Sequence, residues 1–229
     1  MRFRWMALIV VLAFAVSAGA EEPKALSTQK EKISYGIGVN IGKSLQNDNL
    51  DVDVDILARG IRDVFSGGKL QLTDEEHRAA MTAAQREVME KQKEAATKAG
   101  EKNKKEGEAF LAGNKKKEGV VTLPSGLQYK VLKAGDGKSP AATDKVETNY
   151  RGTLIDGTEF DSSYKRGKTA VFPVTGVIPG WTEALQKMKV GDKWQLFVPP
   201  ELAYGERGAG RDIGPNATLI FEVELVSIK

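Results

Sequence analysis

The sequence predicts an α+β protein. A C-terminal antiparallel β-sheet wraps around one short helix, and an all-α N-terminal region and a long connecting helix precede it. Three observations predict this. Apolar residues recur with helical spacing from Ile33 to Leu45 and again from Val54 to Phe65. The stretch from Thr73 to Lys117 is rich in alanine and charge and contains no proline. From Val120 the apolar period falls to two, and most of the aromatic residues follow, punctuated by Gly and Pro. The 229 residues therefore divide into 1–20, a leader; 21–72, a helical region; 73–117, a charged helix; and 118–229, the β-rich domain.

The leader reads MRFRWMALIVVLAFAVSAGA. Arg2 and Arg4 make a basic start, Met6 to Val16 an apolar run, and Ala18-Gly19-Ala20 a cleavage signal. The run is too short to cross a bilayer, so no membrane span is expected after cleavage at Ala20. An exported protein of a bacterial periplasm or outer cell surface follows. No cysteine occurs, which excludes disulfides and a lipid on a leader cysteine. The net charge of +3 falls to +1 without Arg2 and Arg4, so there is no electrostatic case for nucleic acid.

The first helical stretch is QKEKISYGIGVNIGKSLQ. Ile33, Ile37, Ile41 and Leu45 recur every fourth residue and make one stripe. Gly36, Gly38 and Gly42 lie within it, each costing about 1 kcal/mol against alanine in a helix interior. Glycines kept at that cost predict that another backbone packs close. The same letters fail as a phosphate loop, because Ile37 stands where a glycine is required and no strand precedes it. The second stretch, DVDILARGIRDVFSGG, places Val54, Leu57, Ile61, Val64 and Phe65 on one face and stops at Gly67-Gly68. Two short helices cannot bury both stripes by themselves. The sequence thus predicts a partner surface, most simply a second copy, giving a homodimer through residues 28–72.

In the third stretch Thr73 and Glu76 form a capping box, and Asp74 and Glu75 suit a helix N-terminus. From Thr73 to Phe110 such a helix reaches roughly 55 Å. Its apolar content is thin (Met81, Ala84, Val88, Ala95), which predicts a solvated rod. Gly100, Gly107 and Gly113 read as weak points where it bends or frays. Its lysines alternate with glutamates, the pattern of a solvated face. His77 is the only histidine and has no second His or Cys with which to share a metal. No metal or cofactor is expected.

In the β-rich region GLQYKVLKAG reads as a strand. DKVETNYRGTLIDGTEFDSS reads as two strands joined at Asp156-Gly157, a strong hairpin signal. TAVFPV is a strand, TEALQKM a short helix, KWQLFVP a strand and ATLIFEVELVSI the last. Several short strands with one helix indicate an α+β domain. In FPVTGVIPGWTEAL, Trp181 stands where strand gives way to helix. It could plug the core or floor a pocket, and the residues alone leave both readings open.

Four blocks, NYRGTLIDGTEFDSS, VIPGWTEALQKMKVGDKW, ELAYGERGAG and IGPNATLIFEVELVSI, occur in an order that resembles the FKBP-type peptidyl-prolyl isomerase domain, over about Leu123 to Lys229. The leader, the glycine-bearing helices and the long charged helix are similar to the Mip-like (macrophage infectivity potentiator) branch of exported bacterial FKBPs, in which N-terminal helices intertwine two chains. The resemblance implies that Trp181 floors an apolar pocket that takes a proline ring. It matches Tyr150, Phe160, Asp161, Trp181, Tyr204 and Phe221 to the catalytic pocket, and Arg166, Phe172, Val177, Ile178 and Ile213 to substrate binding. In this pattern Asp161 is the one pocket carboxylate and Arg166 pairs with it. The Ile178 N–H and the Tyr204 hydroxyl bond ligand carbonyls. Macrolide inhibitors are implied as ligands too. Two positions depart: Ala170 replaces a second Phe and Ala209 a His of some members.

The chemistry of the implied reaction suits these residues. Rotating an X–Pro bond breaks amide resonance against a barrier of about 18–20 kcal/mol. No covalent bond forms or breaks, so the reaction requires no nucleophile. The twisted amide has a less polar carbonyl, which a dry aromatic pocket favours over the planar, hydrated ground state. Asp161 then orients rather than abstracts a proton. Two functions are expected: a peptidyl-prolyl cis-trans isomerase acting on proline-containing unfolded or exported polypeptides, or a dimeric chaperone that holds such clients with isomerisation incidental.

Overall fold

The computed structural model describes residues 25–229; the leader lies outside the described residues. The chain divides into two units, one ending at Gln71 and the other running from Leu72. In the first, α1 (Gln29–Asn47) opens with a capping box between Thr28 and Glu31. α2 (Val54–Ser66) is capped by the Asp53 carboxylate, which accepts the Asp55 and Ile56 N–H groups. Gly67, in the left-handed region at φ 65°, ends it. Neither helix buries a single residue. Ile33, Ile37 and Val64 are more than half exposed and Phe65 is 89% exposed.

The second unit begins with α3 (Asp74–Asn114), whose Thr73–Glu76 capping box is formed as the spacing predicts. The helix does not break at its glycines. It runs unbroken for 41 residues, and its buried residues are Gly100, Gly107 and Asn114. These recur every seven positions, two helical turns apart, and so share one face. Two of the three expected weak points, Gly100 and Gly107, are contact points, where a missing side chain lets another part of the chain come close; Gly113 is exposed and makes no such contact among the described residues. The end of α3 packs on the sheet through Phe110 against Phe197, with ring centroids 6.0 Å apart. Asn114 Nδ2 donates to Gln128 Oε1 at 3.0 Å, and Gln128 Nε2 donates to the Leu111 carbonyl at 3.0 Å.

The sheet holds β1 (Val120–Thr122), β2 (Gln128–Lys133), β3 (Lys145–Leu154), β4 (Glu159–Ser162), β5 (Ala170–Pro173), β6 (Lys193–Val198) and β7 (Leu219–Ile228). Its order is β1-β2-β6-β7-β3-β4, with β5 also paired to β3, and every pairing is antiparallel. β3 is the long strand: β7 runs along one side, and β4 and β5 share the other. The β3–β4 hairpin turns at Asp156-Gly157, where Gly157 has φ 89° and the Asp156 carboxylate accepts the Thr158 N–H at 2.9 Å.

α4 (Pro179–Leu185) lies across the inner face of the sheet. It starts at Pro179, three residues earlier than the TEALQKM reading, because the fixed φ of proline suits the first helical position. Trp181, Ala184, Leu185 and Met188 are buried, at i, i+3, i+4 and i+7. They meet Leu127, Val146, Leu196, Leu219 and Leu225, all fully buried, and so complete the core.

Candidate active site

The junction of β5 and α4 explains how Trp181 is held. Ile178 is extended, and its carbonyl accepts the N–H groups of Trp181 and Thr182 at 3.0 and 3.1 Å. Thr182 Oγ1 donates to the Val174 carbonyl at 2.8 Å and ties the helix back to the preceding turn. A Cβ on Gly180 would lie 2.6 Å from Val198 Cγ1, so only glycine lets α4 approach β6 this closely. The sequence Val-Ile-Pro-Gly-Trp is therefore one mechanical unit. It starts a helix, seats it on the sheet, and fixes the indole that follows.

Trp181 is 4% exposed. Tyr150, Phe221 and Phe172 surround it with ring centroids at 5.2, 5.3 and 6.0 Å, all within 5° of perpendicular. Phe160 stands edge-on to Phe221 at 5.6 Å. These edge-to-face contacts are the arrangement that aromatic quadrupoles favour. They enclose a cavity of about 400 Å³ lined by Tyr150, Phe160, Asp161, Phe172, Gly176, Val177, Ile178, Trp181, Tyr204 and Phe221.

One polar network meets this apolar wall. Tyr150 Oη donates to Asp161 Oδ2 at 2.5 Å and accepts from Arg166 Nη2 at 2.7 Å. Arg166 Nη1 bonds Asp161 Oδ1, which also accepts the Ser162 N–H at 2.8 Å. The Arg166 guanidinium lies 5.3 Å from the centre of the Tyr150 ring. Burial pushes the Asp161 carboxyl up. The hydrogen bonds from Tyr150 and Arg166, the Arg166 charge and the Ser162 N–H outweigh it and hold Asp161 below its ordinary value. Burial, then the bond to the carboxylate, pushes the Tyr150 phenol up. At neutral pH the network is an ionised carboxylate held by a phenol and a guanidinium, with its oxygens already engaged.

Of the eleven residues matched from sequence, nine line the cavity. Arg166 does not line it but holds two residues that do. Ile213 is not among the lining residues. It is 8% exposed in the core, and the paired bonds of an Ala209–Ile213 bridge set its orientation. Ala170 and Ala209 do not line it either.

Comparison with known proteins gives the same outline. Residues 136–226 match the FKBP-type peptidyl-prolyl cis-trans isomerase family, and residues 30–131 match the domain amino-terminal to such isomerases. The chain is 48% identical over 223 residues to the outer membrane protein MIP of Legionella longbeachae, covering 97% of this chain and 96% of that protein. It is 45% identical to the peptidyl-prolyl cis-trans isomerase Mip of Coxiella burnetii, with the same coverage. The crystal structure of FkpA from Escherichia coli superposes with a TM-score of 0.69 at 38% identity, covering 90% of this chain and 99% of that one. The chain belongs to the FKBP-type peptidyl-prolyl cis-trans isomerases.

Two residues of this FKBP escaped the sequence reading. A Cβ on Gly152 would lie 2.6 Å from the Phe160 ring and 2.9 Å from the Phe221 ring, so two wall aromatics rest on bare β3 backbone. Ser163 is fully buried. Its Oγ accepts the Tyr150 N–H at 2.9 Å, and its own N–H donates to the Tyr150 carbonyl at 2.9 Å. The first gave no signal beyond a glycine in a strand pattern. The second lay unread inside the quoted Phe-Asp-Ser-Ser block.

Proposed function

We propose that the Trp181 cavity receives the proline ring of an X–Pro segment and stabilises the twisted amide, and that the enzyme so assists the folding of exported proteins. The observation that carries this reading is a cavity walled by aromatic rings with one pre-paired carboxylate at its side. Asp161 spends its oxygens on Tyr150, Arg166 and Ser162, so it orients the wall and takes no proton. The Ile178 N–H and the Tyr204 hydroxyl are the donors for the carbonyls flanking the proline. Rotation in such a site needs only differential binding of the twisted form. The test is the cis-to-trans rate of a Leu-Pro tetrapeptide, which uncatalysed takes about 10–100 s. Intact protein accelerates it and Trp181→Leu does so far less; folded protein that leaves the rate unchanged would refute the reading.

A second reading rests on α1 and α2. Their stripes are uncovered in the single chain, and a Cβ on Gly36, Gly38 or Gly42 would meet nothing within 4 Å. A second copy supplies the missing backbone, giving a homodimer through residues 28–72. Two linked pockets gain avidity on a chain with several prolines, which suits a chaperone. Among the described residues no helix is long and apolar enough to cross a membrane. The name of the Legionella relative places that protein at the outer membrane, in keeping with a periplasmic or cell-surface site here. Suppression of client aggregation that survives Trp181→Leu but is lost without residues 21–72 would separate holding from isomerisation.

A further inference from the structure

We propose that α3 positions the substrate-facing Tyr204: Asn103, reinforced by the close contact at Gly107, fixes the base of the loop that follows this tyrosine. The proposal rests on the isomerase reading of the cavity. Tyr204 lines the cavity yet is 41% exposed, whereas Tyr150 on β3 is 7% exposed. Core packing fixes Tyr150, so the loop that continues from Tyr204 must do more of the work at Tyr204. That loop folds back on itself. Ala209 and Ile213 exchange backbone bonds of 2.8 and 3.1 Å, and the Asn216 N–H donates to the Gly205 carbonyl at 2.8 Å. The two ends of the loop therefore meet one residue from Tyr204. Asn216 has φ 53°, a conformation that asparagine tolerates but that its surroundings must hold.

α3 supplies that hold. Asn103 Nδ2 donates to the Pro215 carbonyl at 2.8 Å in a half-buried contact. A Cβ on Gly100 would lie 3.2 Å from Pro215 Cβ and 3.3 Å from Asn216 Nδ2. A Cβ on Gly107 would lie 2.3 Å from Thr218 Oγ1. Phe110 and Asn114 already anchor the helix on the sheet further along. The contacts at 100, 103 and 107 fall on Pro215 to Thr218, between the Tyr204 loop and the strand that carries Phe221. Asn103 thus acts through Tyr204 and touches no substrate; it is a positioning residue.

The test is a double-mutant cycle in the full chain, measuring kcat and KM on Leu-Pro and Glu-Pro tetrapeptides at a temperature where every variant is folded. Asn103→Ala is expected to lower kcat/KM about threefold to tenfold and to change the ratio between the two peptides. In the Tyr204→Phe background the same substitution adds almost nothing. Equal losses in both backgrounds, or no loss in either, would overturn the proposal. A second arm uses Gly107→Ala, which displaces the contact and slows isomerisation. Adding Thr218→Ala restores most of it: the 2.3 Å clash with the hydroxyl goes, a 3.2 Å contact with the Thr218 Cβ stays, and the hydroxyl has no hydrogen-bond partner to lose among the described residues. A Gly107→Ala enzyme as fast as the parent, or one that Thr218→Ala fails to restore, would also overturn it. Amide exchange at Asn216, about tenfold faster in Asn103→Ala, reads the coupling without activity. A parent chain inactive on peptides would refute the isomerase reading, whereas unchanged exchange would refute the coupling.

Discussion

The inner face of the sheet carries two aromatic groups, one at each side, and they differ in how their rings meet. Towards β2 and β6, Tyr129 and Trp194 stack face to face, with centroids 4.2 Å apart and planes 8° apart. Towards β3 and β7, Trp181 meets Tyr150, Phe172 and Phe221 at right angles. The tryptophans are 4% and 5% exposed, and both indole nitrogens are buried without a hydrogen-bond partner among the described residues. Burial and polar satisfaction therefore do not tell them apart. The cavity does: Trp181, Tyr150, Phe172 and Phe221 line it, and neither Tyr129 nor Trp194 does. Core and site are here the same residue types in two packings.

The largest effects should come from exchanging the roles of the two tryptophans. Trp181→Leu removes the perpendicular cluster's centre and should lower kcat/KM at least tenfold, about 1.4 kcal/mol of transition-state stabilisation. Trp194→Leu breaks a stacked pair and should cost about 2–4 kcal/mol of stability. Its folded fraction should isomerise peptides within about twofold of the parent. Urea unfolding and tetrapeptide kinetics on both variants check this. If Trp194→Leu lost as much activity per folded molecule as Trp181→Leu, the distinction between core and site would fail.

A smaller effect sharpens the comparison at the open side. Gly152→Ala places a methyl 2.6 Å from Phe160 and 2.9 Å from Phe221, where neither ring can stay. Overpacking of this kind costs about 1–3 kcal/mol, and displaced walls should lower kcat/KM by about threefold to tenfold with KM rising most. A Gly152→Ala enzyme with unchanged KM would show that the Phe160 and Phe221 walls contribute little to binding.

Much of this was legible in the sequence. Period two marked the strands, Asp156-Gly157 marked the hairpin, and Thr73 with Glu76 marked the start of α3. Four ordered blocks hold eight of the ten residues that line the cavity; Phe172 and Gly176 lie outside them. What stayed hidden were contacts between positions far apart in the chain. Gly107 looked like a flaw in a helix because Thr218, which needs the space, lies more than a hundred positions later. Gly152 carried no local signal of its role, because the rings resting on it come from β4 and β7. Ile213 was matched by its place in a block, but a two-residue backbone bridge decides where it points. Local pattern reports local geometry; close approach belongs to two surfaces at once.

The subtlest prediction concerns the charge pair at the Trp181 side. Asp161 is held below its ordinary value against the push of burial by Tyr150 and Arg166. For a group depressed in this way, the stabilising contribution is present above the unfolded-state value. It is lost as pH falls through the folded-state value. Arg166→Met removes one hydrogen bond to Asp161, one to the Tyr150 hydroxyl and one positive charge, while leaving burial and the Tyr150–Asp161 bond in place. The Asp161 titration should therefore move upward, and the acid loss of stability and activity should begin at a higher pH. At neutral pH Asp161 stays ionised, so kcat/KM should fall only about twofold to fivefold, through looser seating of Tyr150. Following the Asp161 carboxyl carbon by NMR during acid titration measures the shift directly. An unmoved midpoint would mean that Tyr150 and the Ser162 N–H hold the carboxylate without Arg166, and that the guanidinium serves only to brace the phenol ring.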